Sequence, residues 1–135
     1  MGVWDKIRSL VKDDRPEHLR RGELGEKAAR KHLRKLGLKF LAANFSDKSG
    51  EIDLIFRDGE TLAFVEVKTR SGEDWTRPAD AVDRKKQRRL HKTANTYLKK
   101  IGYPEVYHRF DIVEVLLKEG KVQEIRHLPD AFPAA

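Results

Sequence analysis

Two strongly apolar segments joined by Asp58 and Gly59 constrain the fold of this chain more than any other feature. Residues 50–57 are GEIDLIFR and residues 61–70 are TLAFVEVKTR, and both are rich in the residue types that favour strands. An Asp-Gly dipeptide between two such segments favours a two-residue hairpin turn. Because side chains alternate along a strand, one face of this predicted hairpin is almost purely apolar. Another layer of structure must cover it.

The other face of the predicted hairpin carries acids among apolar residues. With the Asp-Gly dipeptide as the loop, the predicted register sets Asp53 opposite Phe64 and makes Glu66 a diagonal neighbour of Asp53, with Cβ atoms roughly 7–8 Å apart. Acidic residues are uncommon in the middle of apolar strands. Two carboxylates at this separation can bind one hard divalent cation such as Mg²⁺, which prefers oxygen ligands. Asp53 and Glu66 are therefore candidate metal ligands.

Lys68 follows Glu66 by two residues and is predicted on the same face of the strand. At that position its ammonium would reach a phosphate oxygen or a water near the cation. The alternative is structural, in which Glu51, Glu66 and Lys68 form a surface salt bridge on a solvated sheet face, an interaction that contributes only about 0–1 kcal/mol. The position of the acids within two apolar strands favours the functional interpretation.

A third candidate carboxylate lies on the helix predicted for residues 22–36. On a helical wheel, Glu26 falls at the edge of the apolar stripe and Glu23 falls well toward solvent. Gly25 falls in the middle of the stripe, which would let this helix approach the sheet closely. We therefore expect Glu26, rather than Glu23, to be the acid nearest to Asp53. The alternative is that both are ordinary first-turn acids, which the helix dipole favours.

The remaining segments predict an α/β fold class, with a single domain built on a mixed central β-sheet flanked by helices. A long helix is predicted to begin at Pro78 and to bury a face from Val82 to Ile101. Further strands are predicted at LKFLAANF, RFDIVEVLL and KVQEIRHL. The predicted boundaries are an N-terminal amphipathic extension and linker (residues 1–20), the domain itself (residues 21–128) and an irregular C-terminal tail (residues 129–135).

Composition restricts the partner and the compartment. The 135 residues include 29 Lys and Arg against 22 Asp and Glu, a net charge of +7. A basic domain of this kind commonly binds a polyanion, most often nucleic acid, although the charge can also serve solubility alone. The absence of cysteine excludes disulfides, thiolate zinc sites and cysteine nucleophiles. No apolar run has the length of a membrane span, and we expect a cytoplasmic protein without a membrane partner.

A dense basic run, RKKQRR at residues 84–89, lies on the long predicted helix. Such a run is typical of a helix face that contacts phosphates, and also of a face that is only solvated. Lys86 points along the buried stripe of this helix. It therefore either extends past the core to solvent or reaches the carboxylates.

The order of these blocks resembles a known nuclease fold. A helix bearing Glu, then GEIDLIF, a DG hairpin and FVEVKTR resemble the core of the PD-(D/E)XK nuclease superfamily. More closely, GELGEKAA, GEIDLI, FVEVKTR, the Lys-Gln step of the long helix and RFDIV resemble the YraN-type bacterial proteins. That family is predicted to be endonucleases with distant similarity to archaeal Holliday-junction resolvases. The resemblance covers about residues 20–117 and implies a restriction-endonuclease-like core.

The resemblance also implies roles for particular residues. Asp53, Glu66 and Lys68 match the D…(D/E)XK positions, whereas Ile52 stands where the superfamily's name has proline. The implied activity is metal-dependent hydrolysis of DNA phosphodiester bonds, including those of branched repair or recombination intermediates. The implied cofactor is Mg²⁺ or Mn²⁺. The catalytic residues would be Asp53, Glu66, Lys68 and Glu26, and the metal ligands Asp53, Glu66, Glu26 and the Val67 carbonyl.

The implied partner is nucleic acid, DNA rather than RNA, and a resolvase-like enzyme would act as a homodimer. Two alternatives stay open. The chain would be a nucleic-acid-binding module that keeps the fold without turnover, or an interaction protein whose acidic face docks a partner. The residues expected to contact phosphates are Arg30, Lys31, Arg34, Arg70, Lys85, Lys86, Gln87 and Arg89.

Overall fold

The computed structural model describes residues 2–4, 20–71 and 82–134. In these ranges the chain forms two long helices and one five-stranded sheet, an α/β fold in a single domain, as the sequence predicts. The elements in chain order are α1 (Arg20–Lys35), β1 (Lys39–Asp47), β2 (Gly50–Asp58), β3 (Thr61–Ser71), α2 (Arg84–Lys100), β4 (Tyr107–Lys118) and β5 (Lys121–Phe132).

The strands lie in the order β1-β2-β3-β4-β5. Every neighbouring pair is antiparallel except β3 and β4, which run parallel. A parallel pair needs a long crossover connection, and α2 lies within that connection. The sheet is mixed for this reason.

Each face of the sheet packs against one helix, so the apolar residues form two clusters. Residues of α1 pack on the first face and residues of α2 on the second. The α1-side cluster includes Ala29, Leu33, Ala43, Leu54, Phe56, Val65, Val67 and Val113. The α2-side cluster includes Leu41, Ile52, Ile55, Leu62, Phe64, Leu90, Ala94, Tyr97 and Phe110.

The helix ends follow local chemistry, and one predicted start was wrong. Gly37 has φ +94° and its amide donates to Arg34 O, so this glycine ends α1 close to the predicted end at residue 36. The long helix begins at Arg84 and not at Pro78. Asp83 is its N-cap because its Oδ1 accepts the Lys86 amide at 2.8 Å, and Pro78 itself lies outside the described residues.

The register of the β2–β3 hairpin differs from the predicted one by two residues. Ile55 pairs with Phe64, and Asp58 pairs with Thr61, so Gly59 and the residue after it form the loop. A slip of an even number keeps each side chain on its expected face. The predicted apolar face is therefore correct from Leu54 onward.

The ends of the chain also differ from expectation. Residues 129–132 of the predicted irregular tail are in fact the end of β5, where Phe132 pairs with Phe110 beyond a bulge and is buried. The amphipathic N-terminal segment is described only at residues 2–4, where Trp4 packs beside Arg57 with the guanidinium carbon 4.2 Å from the ring centroid. The rest of that segment lies outside the described residues.

In the described part of the chain, no helix combines the length and the apolar character that a membrane span requires.

A buried carboxylate fixes the end of β5 to β4. Asp111 is fully buried, and its oxygens accept hydrogen bonds from Arg109 Nε and from the Asp130 amide, each at 2.9 Å. His127 Nε2 also lies 2.9 Å away. Burial alone would raise the pKa of Asp111, but the hydrogen bonds from His127 and Arg109 outweigh burial and hold the pKa below its ordinary value of 3.8.

Replacing Asp111 with Asn should lower the free energy of unfolding by about 1–3 kcal/mol at neutral pH, because donors that the charged group satisfies lose their partner. A group with a depressed folded pKa contributes stability above its unfolded pKa and loses it as the pH falls through its folded pKa. The difference from the parent should therefore shrink below pH 3.8. Urea unfolding at a series of pH values measures it. The control is Asp58→Asn, which removes only a half-exposed contact to the same Arg109. An equal loss of unfolding free energy in both variants would contradict the role of Asp111 in fixing β5 to β4.

Candidate metal site at the end of β2

The alternation of side chains reverses at neighbouring positions of two adjacent strands. In β1, Ala43 belongs to the α1-side cluster and Phe45 packs against the α2-side cluster, and Asn44 between them has φ +54°. Asparagine tolerates this left-handed conformation better than most residues. In β2, Ile52 and Leu54 likewise belong to opposite clusters. The prediction that Ile52 shares a face with Leu54 is therefore wrong.

Asp53 lies at this reversal, where β2 separates from β3. The ladder between the two strands ends at the pair Leu54 and Val65. One step further on, the Val67 amide donates to Asp53 Oδ2 at 2.7 Å. A buried amide needs a partner, and here a carboxylate replaces the strand that has left. Asp53 is thereby held against the edge of β3.

The helix α1 brings a second acid to Asp53 because it packs unusually close to β3. A Cβ on Gly25 would collide with the hydroxyl oxygen of Thr69 and lie 3.0 Å from its Cβ, so only glycine fits here without movement. Glu26, the next residue, is buried at 9% exposure. The expectation that Gly25 permits a close approach is confirmed.

Three carboxylates meet at this point. One oxygen from each of Glu26, Glu51 and Asp53 lies within 4.8 Å of the others. They line a pocket of about 220 Å³ together with Gly22, Glu23, Asn44, Val67 and Thr69. Oxygen donors in this number fit a hard divalent cation such as Mg²⁺ or Mn²⁺. Glu26 thus lies beside Asp53, as expected, and Glu23 lines the same pocket.

The electrostatics of the pocket disfavour an ionised Asp53. Burial raises the pKa of Asp53 well above its ordinary value, and the charges of Glu66, Glu26 and Glu51 raise it further. The hydrogen bond from the Val67 amide opposes this shift. Because like charges in a shielded place repel strongly, the neutral form of Asp53 is favoured.

Glu66 contacts a lysine of the opposite helix. It is buried, and its Oε1 lies 2.5 Å from Lys86 Nζ. Burial alone would lower the pKa of Lys86, but the hydrogen bond with Glu66 and the charges of Glu66 and Asp53 raise it. Of the two alternatives left open for Lys86, its side chain takes the second and reaches the carboxylates. Glu66 is therefore covered by α2 and does not lie on the solvated surface of the structural alternative.

Lys68 and Arg70 continue from the site along β3. Lys68 lies beside Lys86 and pairs in register with Glu114 of β4. Arg70 Nε lies 3.7 Å from Glu114 Oε2. Glu114 is fully buried, and its carboxylate oxygens have no hydrogen-bond partner among the described residues. A second cavity, of about 370 Å³, is lined by this end of β3 and shares Gly22, Val67 and Thr69 with the acidic pocket.

The other residues expected to contact phosphates lie on the two helices. Arg30 stacks on the Phe40 ring with its guanidinium carbon 3.8 Å from the centroid, and Arg34 lies 5.4 Å from it. Gln87 Nε2 donates to Val82 O at 3.1 Å. Lys31, Lys85 and Arg89 are exposed. Their predicted contacts with phosphates stay predictions.

Sequence reasoning missed Glu51 and Asn44, which line this pocket, and the buried Glu114 beside Arg70. Glu51 had the clearest signal, since it lies two residues before Asp53 on the same strand and so shares its face. Asn44 has no periodic signal. Its signal is its residue type, which is enriched at left-handed positions. Glu114 interrupts an apolar strand in the way that Asp53 and Glu66 do.

The sheet, its two helices and this pocket define a small single-domain α/β protein with an acidic candidate metal site at the point where β2 leaves β3. Residues 25–115 match the model of the Uncharacterised protein family UPF0102, and the chain belongs to that family. This agrees with the YraN-type part of the resemblance.

Curated relatives extend the match to most of the chain. A UPF0102 protein of Geotalea daltonii is 44% identical over 114 residues, which cover 84% of this chain and 90% of the relative. One from Alkaliphilus metalliredigens is 40% identical over 111 residues, or 82% and 96% of the two chains. One from Symbiobacterium thermophilum is 49% identical over 94 residues, or 70% and 80%.

Gly25→Ala should destabilise the protein by about 1–3 kcal/mol, because the added methyl must force α1 away from Thr69. Gly22→Ala is the matched control, since a Cβ there meets nothing within 4 Å. That change should be neutral or stabilise the helix by up to about 1 kcal/mol. Chemical denaturation of both variants compares them. Equal stability of the two variants would mean that the contact between α1 and Thr69 does not require glycine at position 25.

Asp53→Asn should raise the melting temperature at neutral pH, because it removes an unfavourable charge and keeps the shape of the side chain. The direction of this stability change and the pH range in which it occurs follow from the raised pKa of Asp53. The ionised group destabilises the folded chain above its folded pKa, and this penalty is absent below the ordinary value of 3.8. The gain should therefore grow as the pH rises. Thermal unfolding in EDTA across pH measures it, and a variant less stable than the parent at neutral pH would contradict the charge argument.

Proposed function

We propose that this protein is a metal-dependent endonuclease that hydrolyses phosphodiester bonds of DNA. The observation that supports it most is the convergence of Glu26, Glu51 and Asp53, with oxygens within 4.8 Å of one another, beside a lysine-bearing strand and a basic helix. A purely structural cluster of acids gains nothing from being held together, because the like charges oppose folding. Functional sites commonly keep such unfavourable arrangements.

The proposed roles follow from position. Asp53, Glu26 and Glu51 would hold Mg²⁺ or Mn²⁺, and the resemblance adds Glu66 and the Val67 carbonyl as ligands. When bound, the ion supplies charge neutralisation at the phosphate and lowers the pKa of a coordinated water. Lys68 would stabilise the charge that develops on the phosphate. No side chain need act as a nucleophile.

The basic helix α2 would supply binding rather than chemistry. Residues 84–89 contain five basic side chains and no acid. Contacts of this kind act on phosphates and depend on salt more than on base sequence. A branched substrate with two-fold symmetry would require two sites and hence two chains, and we include a homodimer in the proposal for that reason.

One observation favours a second candidate, a nucleic-acid-binding module without turnover. The contact between Lys86 and Glu66 already balances one charge of the acidic site without any metal. A binding module would keep such an ion pair permanently. A panel of junction, flap, single-stranded and linear DNA, with RNA beside it, assayed in Mg²⁺, Mn²⁺ and EDTA separates the two candidates. Metal-dependent cleavage supports the enzyme, and binding without cleavage supports the module.

Asp53→Asn should lower the rate of metal-dependent cleavage by about 100-fold or more. The variant should nevertheless bind DNA in EDTA as well as the parent or better. The reason is that it removes a negative charge from the place where a phosphate must lie. Lys68→Ala should also lose cleavage but gain no binding in EDTA, since it removes an attractive charge. Cleavage assays and fluorescence anisotropy at fixed salt measure both effects.

The control is Glu60→Gln, which removes an exposed acid from the far end of the same hairpin and should behave like the parent in both assays. If Asp53→Asn cleaves like the parent, the catalytic assignment is wrong. If Asp53→Asn folds but loses DNA binding in EDTA, Asp53 belongs to the binding surface and the non-catalytic module is the better description.

A further inference from the structure

The ammonium of Lys86 lies among the charged groups that define the site. Nζ contacts Glu66 Oε1 at 2.5 Å, the charge of Asp53 acts on it, and Lys68 lies beside it. Glu66 is in turn the strongest charged neighbour of Asp53. One cation of the chain itself therefore interacts with both acids that match the metal-binding positions of the proposed nuclease.

We propose that Lys86 is an internal counterion of the acidic site, and that it must release Glu66 before a divalent cation can bind with full affinity. This inference rests on the metal site of the proposed function. An oxygen of Glu66 that is occupied by an ammonium is less available to a metal, and two cations near the same pair of carboxylates repel each other. Lys86 and the metal consequently compete.

The position of Lys86 on α2 allows release without movement of the helix. Its backbone amide is bound to the cap Asp83 at 2.8 Å, so the first turn stays fixed. The side chain has a flexible four-carbon stem that can take other rotamers, and it is 37% exposed. The adjoining residues Arg84, Lys85 and Arg88 are exposed to solvent, where a polyanion would meet them.

A nucleic acid bound to α2 would therefore favour the metal. A phosphate that attracts Lys86 withdraws it from Glu66 and removes the competitor. Such a coupling is reciprocal, because a metal that displaces Lys86 also frees its charge for the phosphate. The chain would bind a divalent cation weakly when alone and more tightly when DNA is present.

The test measures metal binding directly and needs no catalysis. Mn²⁺ is titrated into the full chain without DNA, and the free ion is followed by electron paramagnetic resonance. Lys86→Met should bind Mn²⁺ about tenfold more tightly than the parent, within the usual range for coupled sites. Lys92→Met removes the same charge from an exposed position further along α2 and should bind Mn²⁺ like the parent.

A second measurement adds a short duplex with phosphorothioate linkages that resist cleavage. The duplex should tighten Mn²⁺ binding by the parent and by Lys92→Met but have little effect on Lys86→Met, in which the competitor is already gone. Melting temperatures in EDTA check that each variant folds. If Lys86→Met does not fold, Lys86→Gln, which is neutral and can still donate a hydrogen bond to Glu66, takes its place with the same expectation.

The outcomes separate this inference from the proposed function. If every variant binds Mn²⁺ with the same affinity, Lys86 is not a competitor and this inference alone is overturned. The same conclusion follows if Lys86→Met binds Mn²⁺ more weakly than Lys92→Met. If neither the parent nor any variant binds Mn²⁺, the metal site of the proposed function is itself refuted, and the inference is refuted with it.

Discussion

The hydrogen bond from the Val67 amide to Asp53 Oδ2 determines how the rest of the site is assembled. It forms where the ladder between β2 and β3 ends, at the pair Leu54 and Val65. Without it, the departure of β2 would leave an amide of β3 without a partner, at a cost comparable to that of a lost hydrogen bond. The same bond keeps the acid at the strand edge, next to Glu66, although burial and like charge raise its pKa.

The site is therefore held together against its own electrostatics, and the surrounding structure provides the compensation. The packing of α1 on β3 at Gly25 and Thr69 keeps Glu26 close to Asp53. Lys86 balances Glu66 from the opposite helix. Such an arrangement lowers stability and persists only where the fold around it is sufficiently stable. The two apolar clusters, one on each face of the sheet, supply that stability.

The sequence predicted the architecture because periodicity carries it, and it predicted the site in part for the same reason. The predicted hairpin register slipped by two residues, yet the predicted apolar face is correct from Leu54 onward because two is the period of a strand. The position of Gly25 in the apolar stripe correctly indicated a close approach. Periodicity fails where alternation itself breaks, and it breaks at Asn44 and Asp53, the place where the acids meet. Ile52 was assigned to the wrong face for that reason.

Other features depend on contacts between distant residues, which local patterns do not contain. The extension of β5 to Phe132 depends on Asp111, which accepts the Asp130 amide 19 residues further on. Pro78 and Asp83 are both residue types that favour helix N-termini. The local pattern therefore does not show at which of them α2 starts. The direction of Lys86 was left open because a helical wheel gives the face of a side chain and not its end point. The end point depends on a buried acid across the interface.

The separation of charge between the two sides of the site follows from the order of the strands. The parallel pair β3 and β4 requires a crossover, and that crossover carries α2 over the face on which Glu66 and Lys68 lie. The antiparallel β2 instead delivers Asp53 and Glu51 to the side that α1 covers with Glu26. Acids from α1 and β2 and basic residues from α2 thus meet at the end of the sheet. A polyanion is attracted by the basic residues of α2. The carboxylates beside β2 repel it, unless a cation is bound to them. In the proposed function this alternation of charge makes the metal a condition for placing a phosphate at the site, in addition to its role in the chemistry.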